Sequence, residues 1–125
     1  MAVKRIVANI SASPETMSVA KAFYRDMFDL DVAMDFGWIA TLTGSGSVVP
    51  QISIASEGGS GTAVPELSIE VDNLQDVHDR LIDRQIPIEY GPVLEPWGVR
   101  RFYVRDPLGK VLNILEHAGG ARPQK

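Results

Sequence analysis

The sequence predicts an α+β fold of two βαβββ repeats, which form a curved, partly closed mixed sheet with its helices outside. Each half of the chain shows the same order of a strand, a helix and three further strands. A stretch rich in Gly, Ser and Thr, residues 57–63, separates the halves as a linker would. We therefore expect one domain over residues 1–118, with repeat one at 4–56, repeat two at 64–117 and a flexible tail at 119–125.

Composition restricts the class of protein. The chain has 125 residues, no cysteine and a formal net charge of −4. These values predict a cytoplasmic protein with neither a disulfide framework nor a thiolate metal site. The acidic balance and the lack of a basic stripe argue against nucleic acid as a partner. No window has the apolar length of a membrane span, so we expect no membrane partner.

The first repeat opens with a predicted buried strand at residues 4–11. Ser13 and Pro14 then begin a helix over residues 14–29, since Ser suits the N-cap and Pro the first helical position. Helical spacing predicts a buried apolar stripe on that helix, formed by Val19, Phe23, Met27 and Leu30. Strands are expected to follow at 31–35, 37–43 and 48–56.

The second repeat restarts the pattern with a half-buried strand. Its apolar residues Leu67, Ile69 and Val71 alternate with Glu66, Ser68 and Glu70. Asp72 or Asn73 caps the next helix, whose apolar stripe is Leu74, Val77, Leu81 and Ile82. A short strand at 87–90 and a loop at 91–98 precede a final hairpin with strands at 101–105 and 111–115.

The final hairpin has one face that is unusual for a core. Asp106 to Gly109 provides the turn, because Asp can cap its own backbone and Gly accepts a left-handed conformation. Alternation places Arg101, Tyr103 and Asn113 away from the apolar face that should meet the helices. Such a polar face is ordinary for a ligand pocket.

The hairpin sequence also resembles a known family. The run W-G-x-R-x-F-x-x-R-D-P-x-G, residues 97–109, looks like the last hairpin of the glyoxalase/bleomycin-resistance/dioxygenase superfamily, the vicinal oxygen chelate proteins. Motifs at 7–9, 22–26, 30–32 and 69–72 are in the places that this family leads us to expect. The resemblance covers nearly the whole chain and implies the fold predicted above.

The resemblance also implies a divalent metal site, but this sequence does not supply its ligands. The family positions correspond here to Val7 or Asn9, Gln51, Glu66 and Asn113. One carboxylate with neutral amides is a poor donor set, because divalent ions prefer imidazole or carboxylate ligands. Three other candidate ligands do not rescue the site, because they are misplaced or helical: His78, Glu116 and His117. We expect no cofactor; the alternative is a hard cation held weakly by Glu66, Asn113 and Gln51.

The concave face instead offers groups suited to an organic ligand. The proposed ligand-binding set is Asn9, Trp38, Gln51, Ser53, Glu66, Ser68, Arg101, Tyr103 and Asn113. Glu66 is the candidate general base, since an acid near the start of a buried strand needs a partner or a raised pKa. Arg101 can equally form an ion pair with Glu66 or Glu95 that fastens the sheet. Trp38 and Trp97 can be packing residues, and Tyr103 can be a core tyrosine.

Three functions of different classes remain open from the sequence. The first is a metal-independent binder of a small polar-aromatic molecule, similar to bleomycin-resistance proteins. The second is a lyase, isomerase or dioxygenase that uses an atypical metal site or Glu66 as base. The third is a structural or sensing module whose concavity is filled by side chains. In each case we expect a homodimer, because single-domain chains of the family commonly pair.

Overall fold

The computed structural model describes residues 1–47 and 49–118; the tail predicted at 119–125 lies outside them. The elements are β1 (Val3–Ser11), a 3-10 turn (Pro14–Thr16), α1 (Met17–Phe28), β2 (Asp31–Asp35), β3 (Ile39–Thr43), β4 (Gln51–Ala55), β5 (Leu67–Val71), α2 (Leu74–Asp83), β6 (Ile88–Leu94), β7 (Val99–Arg105) and β8 (Val111–His117). The predicted order, βαβββ repeated twice, is confirmed.

The chain divides into two compact units. Val7–Val64 make up the N-terminal unit, whereas Met1–Ile6 and the described residues from Pro65 onward make up the C-terminal unit. The start of β1 therefore belongs with the second repeat and the rest of β1 with the first. The strand is less buried than predicted, because Val3, Ile6 and Ile10 are exposed and Val7 is its single buried residue.

The N-terminal unit has the strand order β2-β3-β4-β1. β4 pairs antiparallel with β3 and parallel with β1, which follows from the crossover through α1. The core consists of Met17 from α1 packed on Leu42 and Ile54, with Leu30 packed against them.

Helix α1 turns a different face to this sheet from the one predicted. Met17, Ala20 and Tyr24 lie on the core side. Val19, Phe23 and Met27, the predicted stripe, are 70%, 53% and 62% exposed. Two apolar rows with helical spacing run along α1, and spacing alone does not say which of them meets the sheet. Only Leu30 of the predicted set was placed correctly.

The C-terminal unit has the strand order β5-β8-β7-β6, with β5 and β8 parallel and the other pairs antiparallel. Helix α2 covers one face through a core of Val71, Leu74, Phe102, Val104 and Ile114. Asn73 is the N-cap, and its side chain accepts a hydrogen bond from the backbone N–H of Asp76. Val77 and Leu81 pack as predicted, whereas Ile82 is half exposed.

Two segments predicted as irregular are ordered. β6 continues to Leu94 through the first half of the predicted loop 91–98, with irregular pairing to β7 around Tyr90. Residues 57–63 contain a tight turn, in which the N–H of Gly58 donates to Thr62 O at 2.8 Å and that of Thr62 to Gly59 O at 3.0 Å. Neither helix within the described ranges has the length and apolar character needed to cross a bilayer.

Candidate functional site

The face of the C-terminal sheet opposite α2, here called the open face, carries polar side chains. Strand alternation directs Phe102 and Val104 to α2 and therefore Arg101 and Tyr103 to the open face. One row crosses all four strands, because the backbone register places these residues side by side: Ser68, Asn113, Tyr103 and Tyr90. The predicted grouping of Ser68, Tyr103 and Asn113 is thus present within this unit.

Arg101 is a buried cation with a buried carboxylate partner. Its Nε donates to Oε2 of Glu95 at 2.6 Å, and both side chains are 3% exposed. Nη1 of Arg101 also donates to the hydroxyl of Tyr103 at 3.0 Å, and the hydroxyl of Tyr90 donates to Glu95 at 2.9 Å. A buried charge requires such partners, since its desolvation is costly. Of the two predicted partners of Arg101, the structure selects Glu95.

Aromatic rings enclose the Arg101 guanidinium. Its Cζ lies 5.4 Å from the ring centroid of Tyr90 and 5.0 Å from those of Trp97 and Tyr103. At these distances the ring quadrupole attracts a cation. Trp97 therefore packs as predicted, and it packs against the charged group rather than against the apolar core. The open face thus combines fixed charge with flat aromatic surface.

Asn113 has an acceptor without a partner. Its Nδ2 donates to Oγ of Ser68 at 3.1 Å. Its Oδ1 is buried and is the one buried side-chain N or O atom, among the described residues, that has no hydrogen-bond partner. Leaving a buried carbonyl unsatisfied costs about 1–3 kcal/mol. The amide oxygen is therefore a hydrogen-bond acceptor that has lost its water, and no described group of the protein compensates for that loss.

Glu66 does not have the buried environment that was predicted for it. It precedes β5 and is exposed, and its backbone N–H donates to Val111 O at 2.8 Å. Ser68, two residues later, is on the open face, whereas Glu66 lies just before the start of β5. The buried acids of this unit are instead Glu70 and Glu95.

The remaining predicted residues lie in the N-terminal unit. Asn9 pairs with Ser53 and Ser53 with Thr41, so these three side chains form a row across β1, β4 and β3. The hydroxyls of Ser53 and Thr41 are 2.8 Å apart and buried. Gln51 is partly buried, two residues before Ser53 in β4. Trp38 immediately precedes β3, and its ring packs against Phe36 with centroids 6.2 Å apart.

A second buried polar cluster on the open face was not predicted from the sequence. Glu70 is 1% exposed; its Oε1 accepts from Nε of Arg5 at 2.7 Å, and its Oε2 lies 2.8 Å from Nδ1 of His117. The sequence contains a signal for it, since Glu70 lies two residues after Ser68 and His117 four residues after Asn113, so each pair shares one face of its strand. The pairing of His117 with Glu70 joins residues 47 apart in the sequence, so strand alternation alone does not predict it.

The other excluded candidates have structural roles. Glu116 lies on the helix side, where its Oε1 accepts from the backbone N–H of Leu74 at 2.8 Å. His78 is half-buried, because its ring packs edge-on against Phe102 with centroids 5.6 Å apart. Asp106 is a turn residue as predicted, since its Oδ1 accepts from the N–H groups of Leu108 and Lys110 at 2.8 and 2.9 Å.

A divalent metal does not fit the donors of either unit. Within residues 1–47 and 49–118, no three His, Cys, Asp or Glu side chains come together closely enough to hold an ion. At the family positions of the C-terminal unit, Asn113 offers a neutral amide and Glu66 is exposed. Neutral amides are weak ligands for a transition metal. No chemical step is therefore assigned to a metal.

The carboxyl group of Asp35, which lies outside the open face, has a lowered pKa. The pKa of Asp35 is lowered from its ordinary value of 3.8, chiefly by a hydrogen bond from Lys21 and then by the backbone N–H of Gly37. Nζ of Lys21 lies 2.8 Å from Oδ2 of Asp35. This pair joins α1 to the end of β2.

Comparison with known proteins supports the family assignment. Among solved structures, the chain is similar to one described as an NAD-dependent benzaldehyde dehydrogenase from Legionella pneumophila, with a TM-score of 0.70, 17% identity, and 90% of this chain and 99% of that chain covered. A glyoxalase/bleomycin resistance protein/dioxygenase superfamily member from Vibrio splendidus 12B01 gives a TM-score of 0.64, 14% identity and coverage of 92% and 99%. Methylmalonyl-CoA epimerase from Mycobacterium tuberculosis gives a TM-score of 0.59 and 13% identity, with 94% of this chain and 88% of that chain covered.

At these identities the solved structures inform the fold alone, and they confirm the predicted fold class. Comparison with curated proteins gave no match. The family model described as Glyoxalase/Bleomycin resistance protein/Dioxygenase superfamily matches residues 8–114, which is most of the chain. The chain therefore belongs to the glyoxalase/bleomycin resistance protein/dioxygenase superfamily.

Proposed function

We propose that the protein binds a small molecule with polar and aromatic parts on the open face of the C-terminal sheet, and that it does so without a metal ion. The observation that carries this proposal is Oδ1 of Asn113, a buried acceptor with no partner among the described residues. Buried polar atoms in proteins are almost always satisfied. A hydroxyl or N–H of a ligand would supply the missing donor.

The surroundings of Asn113 suit the rest of such a ligand. Tyr103 is its direct neighbour on β7, and the Tyr103 ring contacts that of Tyr90 with centroids 5.3 Å apart. Flat rings offer stacking area, and the charged pair of Arg101 and Glu95 fixes their position. A few directed polar groups within an aromatic shell are typical of small-molecule sites.

A thermal-shift screen tests this proposal. A compound that binds the native state, at a free concentration of 100 times its Kd, raises the free energy of unfolding by about 2.7 kcal/mol. We expect aromatic compounds with a hydrogen-bond donor to stabilise the wild type and to lose that effect in Asn113→Val. The control is Gln75→Ala, which removes an exposed amide from α2. Compounds that stabilise Asn113→Val as strongly as the wild type would contradict this site.

Metal content tests the second part of the proposal. Protein purified without chelator is expected to contain less than stoichiometric amounts of any transition metal, because imidazole and carboxylate donors are not gathered at the family positions. Elemental analysis by mass spectrometry measures this directly. One tightly bound transition-metal ion per chain would refute metal-independent binding.

An enzymatic function is the second candidate. It is favoured by membership of a superfamily whose description includes glyoxalases and dioxygenases. A lyase, isomerase or dioxygenase could use an atypical metal site or Glu66 as general base. The exposure of Glu66 makes it a poorly desolvated base. Once a substrate is found, turnover that is unchanged in Glu66→Gln would eliminate the acid–base version.

A homodimer and a cytoplasmic location complete the proposal. The exposed apolar row on α1, Val19, Phe23 and Met27 with Phe28 beside it, supports pairing of two chains through this helix. Light scattering at micromolar concentration should report a dimer, and Phe23→Glu should shift it to monomer. A wild-type monomer at that concentration would refute the dimer. Microscopy of a fluorescently tagged chain tests the location.

A further inference from the structure

A buried carboxylate and an imidazole lie together on the open face, beyond Asn113 along β8. Nδ1 of His117 is 2.8 Å from Oε2 of Glu70, and their side chains are 6% and 1% exposed. Nε of Arg5 donates to Oε1 of Glu70 at 2.7 Å, and Nζ of Lys4 lies 3.9 Å from Oε2. Each carboxylate oxygen therefore has a partner, so Glu70 is held in one orientation.

This arrangement decides which ring nitrogen of a neutral His117 carries the proton. An ionised carboxylate only accepts hydrogen bonds, so the nitrogen that faces it, Nδ1, must be the donor. The lone pair is then on Nε2. Nε2 forms no hydrogen bond with another residue in the described part of the chain. An imidazole oriented by a carboxylate, with the lone pair of the other nitrogen available, has the geometry of a general base.

The pair is also close to the aromatic part of the open face. His117 lies directly opposite Val99 on β7, and Arg101 is the next residue on the same face of that strand. Diagonal neighbours of this kind are roughly 7–8 Å apart across a sheet, within reach of long side chains. The rings of Tyr90, Trp97 and Tyr103 pack around the Arg101 guanidinium. A proton acceptor and a stacking surface therefore occupy one end of the same face.

Building on the binding function proposed above, we propose that the ligand carries, besides the donor that Asn113 binds, a weakly acidic hydroxyl on an aromatic ring, a phenol, and that His117 accepts the phenol proton. The O–H bond of the phenol breaks, its electron pair stays on the oxygen, and the proton moves to Nε2. The products are a phenolate and an imidazolium ion, and no other reactant is needed. Glu70 keeps its hydrogen bond from Nδ1 and stabilises the positive ring, while Arg5 positions Glu70.

The probe for this proposal is 4-nitrophenol, because its neutral and ionised forms absorb at different wavelengths. The protein is titrated into the probe at a pH below the pKa of the free probe. Absorbance of the bound phenolate is expected to appear, since the site supplies a base for the proton. 4-Nitroanisole has the same ring but no ionisable hydroxyl. It is expected to bind at least about tenfold more weakly, which is the change in an equilibrium constant that corresponds to one pKa unit.

The two histidines of the chain provide a matched pair of variants. His117→Asn is expected to reduce the bound phenolate fraction at least about tenfold. His78→Asn removes an imidazole that packs on Phe102, on the α2 side, and is expected to leave that fraction unchanged. Glu70→Gln keeps an acceptor for Nδ1 but not the charge, so an intermediate loss is expected. The comparison of the two probes needs no variant, so it stands even if one of these variants does not fold.

The outcomes separate this proposal from the binding function itself. Binding of 4-nitrophenol in its neutral form, no binding of it, or a phenolate signal that survives in His117→Asn would each overturn the assignment of a phenol to His117. The broader function falls if no compound in the thermal-shift screen depends on Asn113. Binders that lack an ionisable hydroxyl but depend on Asn113 would leave that function standing and refute the phenol.

Discussion

Replacing Asn113 with valine is expected to make the fold more stable while it removes ligand binding. The wild-type side chain buries a carbonyl oxygen that has no partner among the described residues. Burying this oxygen without a partner lowers the free energy of unfolding by about 1–3 kcal/mol. The hydrogen bond from Nδ2 to Ser68 raises it by about 0.5–1.5 kcal/mol. Valine removes both contributions and suits a strand. The expected net gain is about 1 kcal/mol.

Urea unfolding and calorimetry measure this gain. For a domain of 125 residues, 1 kcal/mol corresponds to a rise in Tm of roughly 3–6 °C. A residue that lowers stability and is needed for binding is typical of functional sites, where stability and activity oppose one another. Asn113→Val should therefore raise the Tm of the ligand-free protein and abolish the further rise in Tm that a ligand causes in the wild type.

Ser53 provides the matched control for Asn113. It occupies the corresponding strand of the other repeat, between Asn9 and Thr41, but its hydroxyl lies 2.8 Å from that of Thr41. Ser53→Val leaves the buried Thr41 hydroxyl without this partner, so we expect it to destabilise by about 1–3 kcal/mol. If Asn113→Val destabilised the protein as much as Ser53→Val, the reasoning about the unsatisfied carbonyl would be refuted.

Three further predictions concern stability. Arg101→Met leaves Glu95 buried without its charge partner and should cost about 3–5 kcal/mol in urea unfolding, whereas adding Glu95→Leu should recover most of that cost; no recovery would contradict the paired-charge account. Asp106→Ala removes the bonds to two turn amides and should cost about 1–2 kcal/mol; amide exchange in the last hairpin should quicken, and unchanged rates would argue against it. The pKa of Asp35 is lowered in the folded state, so its pair with Lys21 should stabilise above the ordinary value of 3.8 and lose that effect as pH falls through the lower folded value. Because the pair is exposed, Lys21→Met should reduce stability at neutral pH by less than about 1 kcal/mol, and an acid-unfolding curve identical to that of the wild type would contradict this.

Local sequence patterns identified most elements of the fold. The strand at Asp31–Asp35, the N-cap at Asn73 and the turn at Asp106 were each recognised from residues within one short segment. Their structures depend on interactions between near neighbours, such as the capping bond from the N–H of Asp76 to Asn73. Such features can be read from sequence because the chemistry and the geometry are both local.

The site was predicted less completely, because its contacts join distant parts of the chain. Alternation placed Arg101, Tyr103 and Asn113 on one face, which the structure confirms for β7 and β8. It did not place Glu66, which stops short of the buried strand, and it overlooked Glu70 as the acid that continues into the sheet. Here four residues along the chain separate an exposed carboxylate, Glu66 before β5, from a buried one, Glu70 within it.

By itself the sequence determined the class of this protein: two βαβββ repeats, their turns and caps, and a final hairpin with one polar face. Only the tertiary structure decided which apolar row of α1 meets its sheet, and that Glu95 rather than Glu66 neutralises Arg101. It alone brought Arg5 and His117 to Glu70 across sequence separations of 65 and 47 residues. Periodicity and turn chemistry act over a few residues, whereas a buried charge is satisfied by whatever group the folded chain brings next to it.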